Sequence, residues 1–188
     1  MFWQQHLEKL YGGKQLRHKR ECALHKRRRL QRKGTKSAKQ KLKKVSGREA
    51  RHISHVNHTI SKALVKEAID SGCTVLALEN LTNIRSRIKA NKRMRYRLHG
   101  WSWAQLQKFI VYKAQAAGLT VVFVNPAYTS KTCAECNQLG IRNKHRFVCK
   151  VCGIQRHSDI NASLNIRRIA VSADAAIGAV NHLHVGVV

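Results

Sequence analysis

Four cysteines constrain this chain more than any other feature. Cys133-x2-Cys136 and Cys149-x2-Cys152 are separated by twelve residues, and Asp159 follows seven positions after the last of them. Two Cys-x-x-Cys pairs at this separation present four thiolates tetrahedrally to one zinc ion. The same thiols can instead form two disulfides or a redox pair. The N-terminal Met1-Phe2-Trp3-Gln4-Gln5-His6 lacks the apolar core of a secretory signal. That favours a reducing, cytoplasmic setting, where such pairs more often hold metal. Gly153 follows the second pair and Asn137 the first, and both residue types tolerate the left-handed backbone of a tight knuckle. Four thiolates fill the coordination shell, so the ion is structural and has no open position for catalysis. Cys22 and Cys73 stand alone and read as packing residues.

The charge balance narrows the partners. The chain carries 37 Lys and Arg against 9 Asp and Glu, a formal net charge of +28 over 188 residues. Such a field binds polyanions, and nucleic acid is the commonest large one. A membrane surface needs an amphipathic helix with a clean apolar face, and here polar residues interrupt the basic stretches. No apolar run reaches the roughly 18 to 20 residues that span a bilayer. Apolar content of 43% is that of a globular chain. The length accommodates one core and a small satellite module.

The basic region, 1–72, reads as helical. Leu7, Leu10 and Tyr11 have helical spacing before the Gly12-Gly13 break, and Leu24 and Leu30 have it after. Gly34-Thr35-Lys36-Ser37 marks a second joint. Between residues 50 and 70, Ile53, Val56, Ile60, Leu64, Val65 and Ala68 line one stripe, ended by Ser71-Gly72. The continuous apolar runs Thr74–Glu79 and Thr120–Val124 read as strands buried on both faces. A helix over 101–117, stopped by Gly118, separates them. Residues 82–98 are basic and irregular. Asp159–Ile169 reads as a further helix, and 171–188 as an uncharged tail that either extends it or hangs loose. Helix, strand, helix, strand implies parallel pairing in an α/β sheet.

Glu79 ends the first strand, where an open α/β sheet displays its functional residues. On spacing alone it is equally an ordinary charged residue leaving the sheet, and Asp159 alone is equally a helix N-cap. Together they suggest a carboxylate pair for Mg²⁺, which prefers oxygen ligands. Two-metal nucleases hold their ions roughly 3.5 to 4 Å apart to bind the attacking and leaving oxygens. Such a site needs a third carboxylate that this chain does not obviously offer. Asp70 reads as a surface residue and Asp174 as incidental.

In order along the chain stand Lys33-Gly34-Thr35-Lys36-Ser37-Ala38-Lys39, Ser46-Gly47-Arg48-Glu49-Ala50-Arg51, Asn57-His58-Thr59-Ile60-Ser61-Lys62 and Leu78-Glu79-Asn80-Leu81. They continue through Gly100-Trp101-Ser102-Trp103-Ala104-Gln105-Leu106, Tyr112-Lys113-Ala114, Pro126, Thr129-Ser130-Lys131-Thr132-Cys133, Arg146-Phe147-Val148-Cys149 and Ser158-Asp159-Ile160-Asn161-Ala162. From about Arg32 to Ile169 this series resembles the C-terminal half of TnpB-like proteins (OrfB of insertion sequences), relatives of type V CRISPR nucleases. The resemblance implies a RuvC-type, ribonuclease-H-like segment over 73–128 and 157–170, with a zinc ribbon inserted over 129–156. It implies RNA-guided DNA cleavage for the family. Glu79 and Asp159 take the places of the second and third catalytic carboxylates, on Mg²⁺ or Mn²⁺, with Cys133, Cys136, Cys149 and Cys152 on zinc.

The departures set further expectations. The family's first catalytic Asp lies on a strand that has no counterpart here, and so do that strand's antiparallel neighbours and the guide-binding N-terminal half. Cys136-Asn137 replaces the usual Cys-Gly. The chain is therefore expected to be a partial RuvC-type α/β domain lacking its first strands, binding DNA and guide RNA but inactive alone. Two alternatives stand beside this: a subunit of a split nuclease, and a binding regulator without catalysis. The strand before Glu79 would have an unpaired apolar edge, to be covered by a second polypeptide, by another copy in a homodimer, or by the basic helices.

Overall fold

The structure, a computed structural model, describes residues 14–82, 102–175 and 183–184. Two basic helices come first, α1 (Lys14–Lys33) and α2 (Lys36–Asp70). Gly34 turns the chain with φ of +65°, and the Thr35 hydroxyl then caps α2 by accepting a hydrogen bond from Ala38 N at 3.2 Å. The sequence marked this joint. It did not mark the continuity of α2 through residues 38–49, where Lys, Ser and Gly leave no apolar stripe. Packing against α1 supplies what the stripe lacks. Glu49 takes Arg27 at 3.0 Å and Arg20 at 3.8 Å, and Leu24 and Leu30 of α1 are half-buried. The expected first basic helix around Leu7–Tyr11 and the basic stretch 83–98 lie outside the described residues.

The sheet follows: β1 (Val75–Glu79), α3 (Trp103–Ala116) and β2 (Thr120–Val124), with β1 and β2 parallel and paired from Val75–Thr120 to Glu79–Val124. The side-chain period of two divides β1 between opposite faces. Leu76 and Leu78 join Leu64, Val65 and Ala68 of α2 and Leu106, Ile110 and Ala114 of α3 in one core. Val75 and Ala77 pack with Val124 against Ile166 and Ala170 of α4 (Ser158–Ala175). The result is an α/β/α layering, as the element order implied. β1 is buried on both faces as expected. β2 is not: it lies at the sheet edge, and Phe123 is 50% exposed.

Between β2 and α4 the chain makes a small antiparallel sheet of β3 (Ile141–Asn143), β4 (Arg146–Val148) and β5 (Gln155–His157). The uncharged tail does one thing that neither expectation for it included. Its residues Leu183–His184 form β6, parallel to β1 at Val75 and Leu76. Among the described residues, nothing pairs with β1 on that side from Ala77 onward. Of the two single cysteines, Cys73 packs against the core and burial pushes its thiol up to about 11. Cys22 is exposed, contrary to its reading as a packing residue.

Candidate metal centre and nucleic-acid surface

The two cysteine pairs form facing knuckles. Asn137 has φ of +63° and Gly153 φ of +75°, the left-handed conformation their residue types allow. Cys133 Sγ lies 3.6 Å from Cys152 Sγ, and Cys136 Sγ lies 3.5 Å from Cys149 Sγ. A zinc tetrahedron with bonds of about 2.3 Å has sulfur–sulfur edges of roughly 3.8 Å; these two pairs are close to that edge and all four sulfurs lie within 4.8 Å of one another, so the cluster suits the ion. The Cys152 backbone N–H, above all, pulls the Cys149 thiol down to about 6 against the opposing effect of burial, favouring the thiolate that binds metal. Phe147 of β4, 0% exposed, closes the floor of the site with Cys133 and Cys149. Its ring fills the space beside Gly140, where a Cβ would meet it at 2.5 Å.

Two buried asparagines fasten this module to α4. Asn161 accepts a hydrogen bond from Ala134 N at 3.1 Å and donates to Thr132 O at 2.6 Å. Asn165 donates to Thr129 O at 2.8 Å and Thr132 O at 2.7 Å. The first knuckle is thus held one helical turn after Asp159.

Glu79 shares the face of Val75 and Ala77 by strand parity, which turns it toward the start of α4. It is half-buried, and Thr129 Oγ1 donates to its Oε1 at 3.3 Å. Burial raises its pKa above the ordinary carboxylate range. The Thr129 hydrogen bond and Arg142 oppose the shift, and the Asp159 charge adds to it. The charges of Asp159 and Arg142 thus both act on Glu79. Arg142 Nη2 stands 3.6 Å from Asp159 Oδ1.

Comparison with known proteins bears on this arrangement. A family model described as "Cas12f1-like, TNB domain" matches residues 103–166. The TnpB-like protein MJ0751 of Methanocaldococcus jannaschii is 39% identical over 127 residues, which are 66% of this chain and 45% of that protein. The chain is a TnpB-like relative of the type V nucleases. The CRISPR-associated endodeoxyribonuclease Cas12f1 of Sulfoacidibacillus thermotolerans is 38% identical over 113 residues, 58% of this chain and 25% of that one. In the cryo-EM structure of a Cas12f1–sgRNA–target DNA complex, the protein chain superposes with a TM-score of 0.65 at 22% identity, covering 85% of this chain and 44% of that one. This likeness is one of fold. The TnpB-like chain spans less than half the length of these relatives.

Each site residue named from the sequence lies at this junction: the four cysteines within the ribbon, and Glu79 and Asp159 beside it. Sequence reasoning missed Arg142, His145 and His157 as site residues. His157 stands two positions before Asp159 and was open to suspicion on that ground. Arg142 and His145 lie on a hairpin whose register no local pattern reveals. Among the described residues, much of the positive charge lies on the helical hairpin. Arg17, Lys19, Lys26, Arg28, Arg29, Arg32 and Lys33 of α1 are exposed, as are Lys36, Lys39, Lys41, Lys43, Lys44 and Arg48 of α2. No helix among the described residues is long and apolar enough to cross a membrane.

Proposed function

We propose that this chain is the nucleic-acid-binding, C-terminal RuvC-like portion of a TnpB-like RNA-guided DNA endonuclease, with Glu79 and Asp159 as its metal-binding catalytic carboxylates. The observation that carries this reading is the convergence of the two acids. Glu79 ends a buried parallel strand and Asp159 starts the helix packed beneath it, and Thr129 joins the two: its hydroxyl donates to Glu79 Oε1 at 3.3 Å while its carbonyl accepts from Asn165 of that helix at 2.8 Å. The donor set fits a hard divalent ion, Mg²⁺ or Mn²⁺. Such an ion, when bound, stabilises charge on the oxygens of a phosphodiester. Glu79 contributes a carboxylate whose ionisation the ion would favour over the burial that opposes it. Thr129 holds that carboxylate by one oxygen. The zinc ribbon, closed by four thiolates, keeps the start of α4 in place and takes no part in chemistry.

DNA and a guide RNA are the partners that the charge and the relatives support. The exposed Lys and Arg of α1 and α2 form a surface suited to phosphates. Two carboxylates hold one ion weakly and leave a second poorly held, so the chain by itself binds nucleic acid without cutting it.

A second reading, a nuclease assembled from two polypeptides, is favoured by the side of β1 beyond Leu76, which has no partner among the described residues. A strand bearing a further carboxylate, added in parallel beside Ala77–Glu79, would reach the same site. The test is binding and cleavage with purified, zinc-loaded chain. The affinity for duplex DNA and for RNA should fall steeply and linearly in log–log form with salt, by roughly 10³-fold or more between 50 and 200 mM, and no product should form with Mg²⁺ or Mn²⁺. A flat salt response would remove the basic-surface assignment. Cleavage that disappears in Glu79→Gln would show that the chain is catalytic alone.

A further inference from the structure

We infer that His145, His157 and Asp159 form a second metal site, one that takes a single divalent transition-metal ion and is separate from the four thiolates. The inference does not depend on the nuclease reading, although both use Asp159. His145 sits at the turn between β3 and β4, where Lys144 has φ of +52°. That turn is fixed in position. Ser158, fully buried at the start of α4, donates from its backbone N to His145 O at 2.8 Å and from its hydroxyl to Lys144 O at 3.1 Å. The β4–β5 register pairs Arg146 with His157 and brings His157 beside the same turn. The two imidazoles stack, with centroids 5.3 Å apart and planes 18° from parallel.

Both Nδ1 atoms lie near one oxygen, and His157 Nδ1 also accepts a hydrogen bond from Asp159 N at 3.3 Å, which an ion there would displace. Asp159 Oδ2 lies 3.7 Å from His157 Nδ1 and 4.0 Å from His145 Nδ1. The three donor atoms all fall within 4.8 Å of one another. Metal bonds of about 2.1 Å to N and O require donor separations of roughly 3.0 to 3.4 Å, so side-chain shifts below 1 Å close the site. His145 is 78% exposed and Asp159 39%, which leaves the far side of the ion open to water or to a phosphate oxygen. Two imidazoles with one carboxylate select against Mg²⁺ and for the later divalent ions of the first transition row. Arg142, 3.6 Å from the other Asp159 oxygen, opposes a cation here and weakens binding without blocking it.

Co²⁺ is the probe, titrated at about pH 7.5, where free imidazole is neutral, into chain already loaded with zinc. One equivalent should bind without thiolate charge-transfer absorption and with hyperfine-shifted imidazole N–H resonances. His145→Ala and His157→Ala should each weaken it by roughly 10-fold or more, Arg142→Ala should strengthen it, and a large excess of Mg²⁺ should not displace it. His145 is at an exposed turn, so that variant keeps its fold, checked by an unchanged zinc content. Unchanged Co²⁺ affinity in both histidine variants overturns the inference, as does ready displacement by Mg²⁺. A loss confined to Glu79→Gln would also overturn it, while leaving the carboxylate pair of the proposed function in place. Nucleic-acid binding and cleavage, read separately, test that function whatever the outcome here.

Discussion

Glu79 is a carboxylate in a position that disfavours its charge. Burial is the largest influence, and together with Asp159 it outweighs the Thr129 hydroxyl and Arg142. A carboxyl whose folded pKa lies above its unfolded value contributes stability that is full below the unfolded pKa and is lost as pH rises through the folded one. Glutamine keeps the shape and the acceptor for Thr129 and carries no charge. Relative to the parent, Glu79→Gln should therefore unfold at a higher temperature at pH 8, in the absence of added Mg²⁺ or Mn²⁺. The gap should close at about pH 4, near the ordinary carboxylate value. Thermal unfolding followed by circular dichroism at the two pH values measures this, and a parent equal to or more stable than the variant at pH 8 would refute it. Such strain has a use at a metal site, because an ion that binds the ionised form recovers the free energy that burial costs.

The first turns of α4 link the two halves of the candidate site. Asn161 and Asn165, both buried, hold the backbone of the first cysteine knuckle through Thr129, Thr132 and Ala134. In Asn161→Ala the Thr132 carbonyl keeps Asn165, while Ala134 N loses its acceptor, at a cost of about 1–3 kcal/mol. The variant should retain one zinc per chain by metal analysis and melt several degrees lower. Loss of zinc would mean that the asparagine shapes the thiolate cluster itself and not its docking. Much of this arrangement was legible in the sequence. The runs Val75–Leu78 and Thr120–Val124 are too apolar and too short for anything but strands, and the cysteine spacing admits few structures. What was not legible depends on contacts distant in sequence. The continuity of α2 through its polar half rests on α1 and Glu49. The meeting of His145 with His157 and Asp159 requires the β3–β4 turn, the β4–β5 register and the Ser158 hydrogen bonds together, and no window of residues contains all three. The half-exposure of β2 follows from its place at the edge, which apolar composition does not encode.

The sheet as a whole is narrow for its burden of apolar surface. β1 is its centre, and its ladder with β2 runs its full length, while on the other side, among the described residues, Val75 and Leu76 meet β6. An apolar strand edge is a template for another strand, and Leu183 and His184 of the tail pair with this one. It thereby covers part of the edge that the sequence left to a second polypeptide, a second copy or the basic helices. Charge opposes the approach of a second copy as well. Two copies that approach edge to edge each carry a formal net charge of +28, and their repulsion is long-ranged at low salt, where the Debye length is about 30 Å at 0.01 M. These two restraints are separable. Deleting residues 176–188 removes β6 and its pairing with Val75 and Leu76, and adding salt removes the repulsion. The deletion variant should stay monomeric at 0.01 M salt and self-associate with rising concentration at 0.5 M, while the parent stays monomeric or associates far more weakly at both. Sedimentation velocity over a concentration series distinguishes these states. Equal association of parent and variant at 0.5 M would mean that the tail does not protect the edge. Association of both at low salt would mean that charge does not either. If the edge is instead the seat of an added strand from a partner, the deletion should also increase the chain's affinity for that strand, since β6 competes for the same backbone groups of Val75 and Leu76.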